Sequence, residues 1–321
     1  VVDAPRLAAV AALALFVDGA LAQNYPMRPI RLVVAQSVGG NADFVSRNYA
    51  QRLTERFGKQ VVVDNRPGAA GIIATEVVAR ALPDGYTLLV APTQHAINPG
   101  LHPKLPYDPK NDFAPISLLA ISAAVVVVSP QFPVRNIGEL IALAKSRPGR
   151  LHFASSGTAA ATHLAGELFK SMAGVDIVHV PYKGAPSALT DLAGGQVEMM
   201  FASPPSAMPL VRSGRVRAIA TTGPARAAFL PDVPTASESG LPGYQTTSWQ
   251  ALLAPARTAP AVIERLYREV AAIARQPEMR ERLAADGSEP IGGTPRELAD
   301  HLAAETARYS RLVKVLGLKA E

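Results

Sequence analysis

The chain predicts an α/β fold in two domains joined by two crossing strands, and three observations carry that expectation. Short apolar strands alternate with helices whose apolar residues recur at helical spacing. Residues 113–129 form a long, mostly apolar extended run with no helix before it, as a strand leaving one domain for another would. Residues 249–254 are extended again after a stretch rich in Pro, Gly and Ser, and read as the return. The first domain is therefore expected at residues 23–122 plus 248–321, and the second at 123–247.

At the N-terminus Arg6 precedes an apolar run over residues 7–17, and Ala20-Leu21-Ala22 supplies small residues for a signal peptidase. Residues 1–22 read as a signal peptide cleaved before Gln23, which makes the mature protein exported. Asp18 departs from that pattern, and a buried N-terminal helix is the competing reading. No later apolar run approaches the roughly 18 residues that span a bilayer.

Residues 31–35 predict a strand, followed by the turn Gln36-Ser37-Val38-Gly39-Gly40-Asn41 and a helix over 42–57. A strand at 61–63, a turn at Asn65-Arg66-Pro67-Gly68, a helix over 71–82 and a strand at 86–90 come next. This alternation predicts a parallel sheet covered on both faces. Beyond the crossing, Asn136 and Glu139 make a capping-box pair that opens a helix ending near Arg147-Pro148-Gly149. Strands are expected at 151–154, 177–180, 196–201 and 216–220, with helices over 159–173 and from Gly184 to Asp191. The remainder reads as helical, and Thr294-Pro295-Arg296-Glu297 sets an N-cap, a first-turn proline and a capping-box Glu in register.

The unit at 151–174 is the natural anchor for a ligand. Leu164, Leu168 and Met172 recur behind a turn of small residues, Ser155-Ser156-Gly157-Thr158. A helix start offers unpaired N–H groups and a partial positive charge, and Gly157 allows close backbone approach. One of the hydroxyls acting as an ordinary cap is the plainer alternative. The strand ends carry more loops of this kind, at residues 36–41, 93–98 with Thr93 first, 181–184 with Lys183 and Gly184, and 203–206 with Ser203. In open α/β sheets ligands sit at the carboxyl ends of strands.

Composition narrows the chemistry. The 321 residues are 48% hydrophobic and 18% charged, enough for two real cores, and contain no cysteine, hence no disulfide, thiol nucleophile or Cys-bound zinc. The net charge of +6 is scattered rather than clustered, which argues against a nucleic-acid groove and suits small anions. None of the six histidines sits at a metal-binding spacing, and no P-loop or dinucleotide fingerprint is present, so neither metal nor cofactor is expected. His163, one turn into its helix, is either a ligand contact or a structural imidazole. Asp43 and Asp191 read as a helix-start acid and a solvated one. Ala35-Gln36-Ser37-Val38-Gly39 is a relaxed form of the nucleophile elbow, and a secreted serine hydrolase using Ser37 is the rival function; it requires a histidine within hydrogen-bond reach of Ser37.

Several stretches taken together carry a family resemblance: residues 62–71 (Val-Val-Asp-Asn-Arg-Pro-Gly-Ala-Ala-Gly), 83–89 (Pro-Asp-Gly-Tyr-Thr-Leu-Leu), 179–184 (His-Val-Pro-Tyr-Lys-Gly), 191–197 and 230–235. In this order the set resembles the Bug-type extracytoplasmic solute receptors, the binding subunits of tripartite tricarboxylate transporters. The resemblance implies a type II periplasmic binding-protein (Venus-flytrap) fold, a periplasmic monomer that is not an enzyme, a small carboxylate ligand and integral membrane transporter subunits as partners. A receptor that signals to a membrane sensor is a further alternative. The resemblance places ligand contacts on Gln36, Ser37, Gly39, Gly40 and Asn41 and on Ser155, Ser156, Gly157 and Thr158, with Lys183, Gly184 and Ser203 in lesser roles. The family loop usually begins with Pro and an aromatic; here Ala35 and Gln36 stand there, so a more polar pocket wall is expected.

Overall fold

The computed structural model describes residues 25–285 and 287–318, so the signal-peptide reading lies outside the described residues. The first lobe-forming segment runs β1 (Ile30–Val34), α1 (Asn41–Phe57), β2 (Val61–Asn65), α2 (Ile72–Ala79), β3 (Thr87–Pro92), α3 (Gln94–Leu101) and β4 (Phe113–Ala123). The chain continues through β5 (Val125–Val128), α4 (Ile137–Ser146), β6 (His152–Ser155), α5 (Ala161–Ala173), β7 (Val178–Pro181) and α6 (Ala185–Ala193). Then come β8 (Met199–Ala202), α7 (Pro204–Arg212), β9 (Arg217–Thr221) and β10 (Thr247–Pro255). The C-terminal part holds α8 (Pro260–Ala274), α9 (Pro277–Ala284), β11 (Ser288–Pro290) and α10 (Pro295–Val315). No helix among the described residues is long and apolar enough to cross a membrane.

The strands form two sheets, ordered β11-β4-β10-β3-β1-β2 and β7-β6-β8-β5-β9. Both faces of each are covered, which explains the near-continuous apolar strands. Along β1 and β3, Leu32, Val34, Leu88 and Val90 join one core cluster while Val33, Leu89 and Ala91 join the other. In the second sheet Val126 and Val128 face one core, and Val125 and Val127 the opposite one.

The expected all-parallel sheet is corrected to a mixed one. β1 pairs in parallel with β2 and β3, whereas β10 is antiparallel to both β3 and β4, and β5 is antiparallel to β8 and β9. The reason is directional. A strand arriving from the other sheet enters beside the strands' carboxyl ends, so it must run away from them. The two passages are tied together where they cross: Ala124 N–H donates to Thr222 Oγ1 (2.8 Å), Thr222 N–H to Ala124 O (2.9 Å) and Thr222 Oγ1 to Thr246 O (2.7 Å).

Four local expectations also change. Residues 94–101 and 204–212 are helices rather than loops, since prolines in the first turn of α7 are compatible with a helix. Residues 288–290 form an edge strand inside the region expected to be all helix. α5 starts at Ala161, two residues late, because Ala159 sits at φ +65°. Met172 is exposed, and the buried face of α5 runs instead through Leu164, Ala165, Phe169 and Ala173.

Candidate functional site

A cleft of about 620 Å³ is lined by loops that leave the carboxyl ends of strands in both sheets. The loops also touch across it. Ser206 Oγ donates to Gly39 O (2.9 Å), and Ala159 and Leu164 join a core cluster built otherwise on the first sheet.

On the first sheet's side, Gln36, Ser37, Gly40, Asn41 and Thr93 line the cleft, and Gly39 does not. The loop at 36–41 is held from within. Gln36 Oε1 accepts the Ala42 N–H (3.0 Å), standing in for a helix cap, and Asp43, buried, accepts the Gly39 N–H (3.0 Å) while pairing with Arg47 Nε (2.9 Å). Asp43 is thus a brace for the turn. Asn41 Nδ2 donates to Ser122 Oγ (3.2 Å) and Ser248 Oγ (3.4 Å), side chains on the two crossing strands, so it joins the turn to the crossing. Thr93 Oγ1 is occupied by the Trp249 N–H (2.9 Å). No hydrogen bond among the described residues joins the Ser37 side chain to a histidine, the contact that the hydrolase reading requires.

On the second sheet's side, Ser156, Gly157, Thr158, Lys183, Gly184 and Ser203 line the cleft. Ser155 and His163 lie behind that lining. Ser155 is fully buried, and its Oγ bridges Gly157 N–H (3.2 Å) and His179 Nε2 (2.7 Å). His163 Nδ1 accepts the Ala159 N–H (3.2 Å), and its ring stacks on His179 at 3.8 Å. Burial, reinforced by the nearby Lys170 charge, pulls the His179 pKa down to about 4, so a neutral imidazole holds this turn. Ser156 N–H donates to Thr162 Oγ1 (3.0 Å). Both Ser155 and Ser156 therefore brace the turn, and neither caps α5, whose N-cap is Ala160. Tyr182 O–H donates to Asp191 Oδ2 (2.8 Å); burial and that carboxylate push the phenol up to about 12.

The helix starts set the electrostatics. The N-cap residues of six helices line the cleft: Gly40 (α1), Gly71 (α2), Thr93 (α3), Ala160 (α5), Gly184 (α6) and Ser203 (α7). None of the six makes a side-chain cap hydrogen bond. Each start carries partial positive charge. Among the described residues lining the cleft there is no Asp or Glu, while Lys183 and His102 are present. The arrangement attracts an anion, and among the described residues no group of His, Asp or Glu could hold a metal ion.

Gln94, inside the expected strand-end loop at 93–98, also lines the cleft; sequence reasoning missed His102, Ser248 and Gln250, and the loop at 67–71. In that loop Ala69 and Ala70 hold positive φ (44° and 51°), a strained conformation for alanine that Asn98 Nδ2 steadies by donating to Ala70 O (3.1 Å). The Pro67-Gly68 pair was the available signal for it.

Comparison with known proteins places this geometry. Residues 45–318 match the model of the tripartite tricarboxylate transporter family receptor. The protein BugT of Bordetella pertussis is 35% identical over 300 residues, covering 93% of this chain and 92% of that protein. The structure of R. palustris Rpa4515 with adipate superposes with a TM-score of 0.89 at 37% identity, covering 92% of this chain and 99% of that one. MatC (Rpa3494) from Rhodopseudomonas palustris with bound malate gives 0.83 at 32% identity, covering 90% and 100%. Proteins of this kind are solute-binding receptors, not enzymes, so the serine-hydrolase reading is set aside. The chain belongs to the tripartite tricarboxylate transporter receptor (TctC/Bug) family of periplasmic solute-binding proteins.

Proposed function

We propose that this protein captures a small carboxylate in the cleft between two hinged lobes, residues 23–122 with 248–321 and residues 123–247. It acts as a monomer in the periplasm and hands the ligand to integral membrane transporter subunits. The observation that carries this reading is the convergence of six helix starts on a cleft whose lining, among the described residues, holds no acidic side chain. A carboxylate brings the acceptors and the negative charge that such a site lacks. The adipate and malate named for two related structures support the same ligand class.

In this reading Gln36, Ser37, Gly40 and Asn41 approach the ligand from one lobe, and Ser156, Gly157 and Thr158 from the other, mainly through main-chain donors. Lys183, Gly184 and Ser203 complete the second wall. Closure adds the second lobe's contacts, so ligand shifts the population towards the closed form. The test is calorimetry and thermal shift across di- and tricarboxylates, aromatic acids and acidic amino acids. At least one acid is expected to bind at micromolar or tighter affinity and to raise the melting temperature. A folded protein that ignores every member of the panel overturns the proposal.

A further inference from the structure

One wall of the cleft carries two side-chain amides whose oxygens have no hydrogen-bond partner among the described residues. Gln94 opens α3 directly after β3, and Gln250 lies on β10 opposite Pro92, so both stand at the carboxyl end of β3. Both line the cleft, and they are only 7% and 1% exposed. The Oε1 atom of each is sealed from solvent with no hydrogen-bond partner among the described residues. Of the adjoining residues, Thr93 Oγ1 is engaged by Trp249 and Pro92 has no N–H.

A buried acceptor with no donor is costly, and native interiors avoid it. Two such amides on one wall of a ligand cleft therefore mark a place where the bound molecule supplies the missing partner. A half-turn about the last torsion exchanges the amide's donor and acceptor, so each can give or take.

We propose that Gln94 and Gln250 form a hydroxyl-reading subsite, so that the cleft selects an organic acid bearing a neutral hydroxyl over the same acid without one. The proposal rests on the carboxylate reading above. An ammonium is the other donor that an amide oxygen accepts, but the wall opposes it. Among the described residues no acidic side chain lines the cleft, Lys183 does, and six helix starts add positive potential. A hydroxyl carries no charge and, like the amides, both donates and accepts.

The experiment is calorimetric titration of the purified full chain with matched pairs: lactate and propionate, malate and succinate, 2-hydroxyglutarate and glutarate, with aspartate as the amino counterpart of malate. In the pair that binds best, the hydroxy acid is expected to bind roughly tenfold tighter or more, the worth of satisfying buried polar groups. Gln94→Met and Gln250→Met keep the side-chain length and remove its polar atoms. Each is expected to weaken the hydroxy acid about tenfold and to leave the deoxy acid within about threefold. Equal affinities within the pairs, tighter binding of aspartate than of malate, or variants that lose both acids equally overturn the subsite while leaving carboxylate binding standing. Failure of every acid to bind overturns both readings. If either variant fails to fold, the ratio measured on the unmodified protein still decides.

Discussion

The helix starts at the cleft and those remote from it deal with the same orphan N–H groups in different ways. At α4, Asn136 accepts the Glu139 N–H through its side chain (2.8 Å), and at α10 Thr294 and Glu297 close a reciprocal capping box. α8 and α9 lack a side-chain cap and place a proline in the first turn, where a missing N–H does no harm. The six starts at the cleft, opened by Gly, Ala, Ser or Thr, also make no side-chain cap, and α6 and α7 share the first-turn proline of α8 and α9. What sets the six apart is their place: they converge on one cleft, whereas α4 and α10 close their starts with side chains away from it. This division predicts that substitutions at one class move ligand affinity and at the other move only stability.

The largest expected effect is at Gly184. Its φ is +136°, and a Cβ there would overlap Ser37 Oγ, a residue on the facing loop. Because Gly184 and Ser37 belong to loops of different sheets, the fold can relieve the clash by opening the cleft. Gly184→Val is therefore expected to reduce ligand affinity roughly 100-fold, equivalent to ~2.7 kcal/mol, with a smaller loss in melting temperature. Calorimetry beside thermal melts checks this. A variant that binds normally would mean that the loops need not meet around the ligand.

The second effect tests the histidines near these turns. Burial pulls the His95 pKa down from 6.5 to about 4, and His179 follows for the same reason. The unfolded chain takes up these protons near pH 6.5, whereas the folded protein resists until about pH 4. Stability is thus fully present above pH 6.5, declines as pH falls through that window, and levels off below it. For buried His95 alone the loss amounts to about 3 kcal/mol. Urea midpoints between pH 3.5 and 7.5 measure the decline, and His95→Gln should flatten it. An unchanged slope in that variant would assign the loss to other groups.

How much of this was legible beforehand depended on how local each signal was. The capping boxes at Asn136 and Thr294, the stop at Gly174 and the Gly39-Gly40 turn are short-range patterns, and the sequence shows them directly. The start of α5 was misplaced because His163 reaches back to the Ala159 N–H, a contact between side chain and backbone that no apolar spacing encodes. Ser155 looked like a ligand group because its partner, His179, lies 24 residues away on a neighbouring strand. Gln250 was hidden for the opposite reason. It interrupts an apolar strand, and only the antiparallel register of β10 against β3 brings it beside Pro92 and Gln94. The extended runs at 113–129 and 249–254 pointed to two domains joined by two crossings, the family resemblance implied the type II binding-protein fold, and the polar wall built by α3 and β10 came only with the structure.

The smallest effect is the sharpest control on the comparison. Thr294 Oγ1 accepts the Glu297 N–H (3.2 Å), and Glu297 Oε2 accepts the Thr294 N–H (2.7 Å), both at an exposed helix start. In Thr294→Ala water replaces part of this pairing, so the cost is expected at about 1 kcal/mol, a drop of roughly 2–4 °C in melting temperature. Thr294→Ser should restore most of it. Ligand affinity is expected to stay within twofold of the parent's. A concealed route to the cleft does exist, because α10 packs on α3, where Gly100 lies so close to Ser310 that an added Cβ would come within 3.1 Å of its Cα. α3 also carries Gln94 at its other end. If Thr294→Ala weakened binding as well as stability, that packing would be transmitting the loss, and the separation between stabilising and binding helix starts would fail at α10 first.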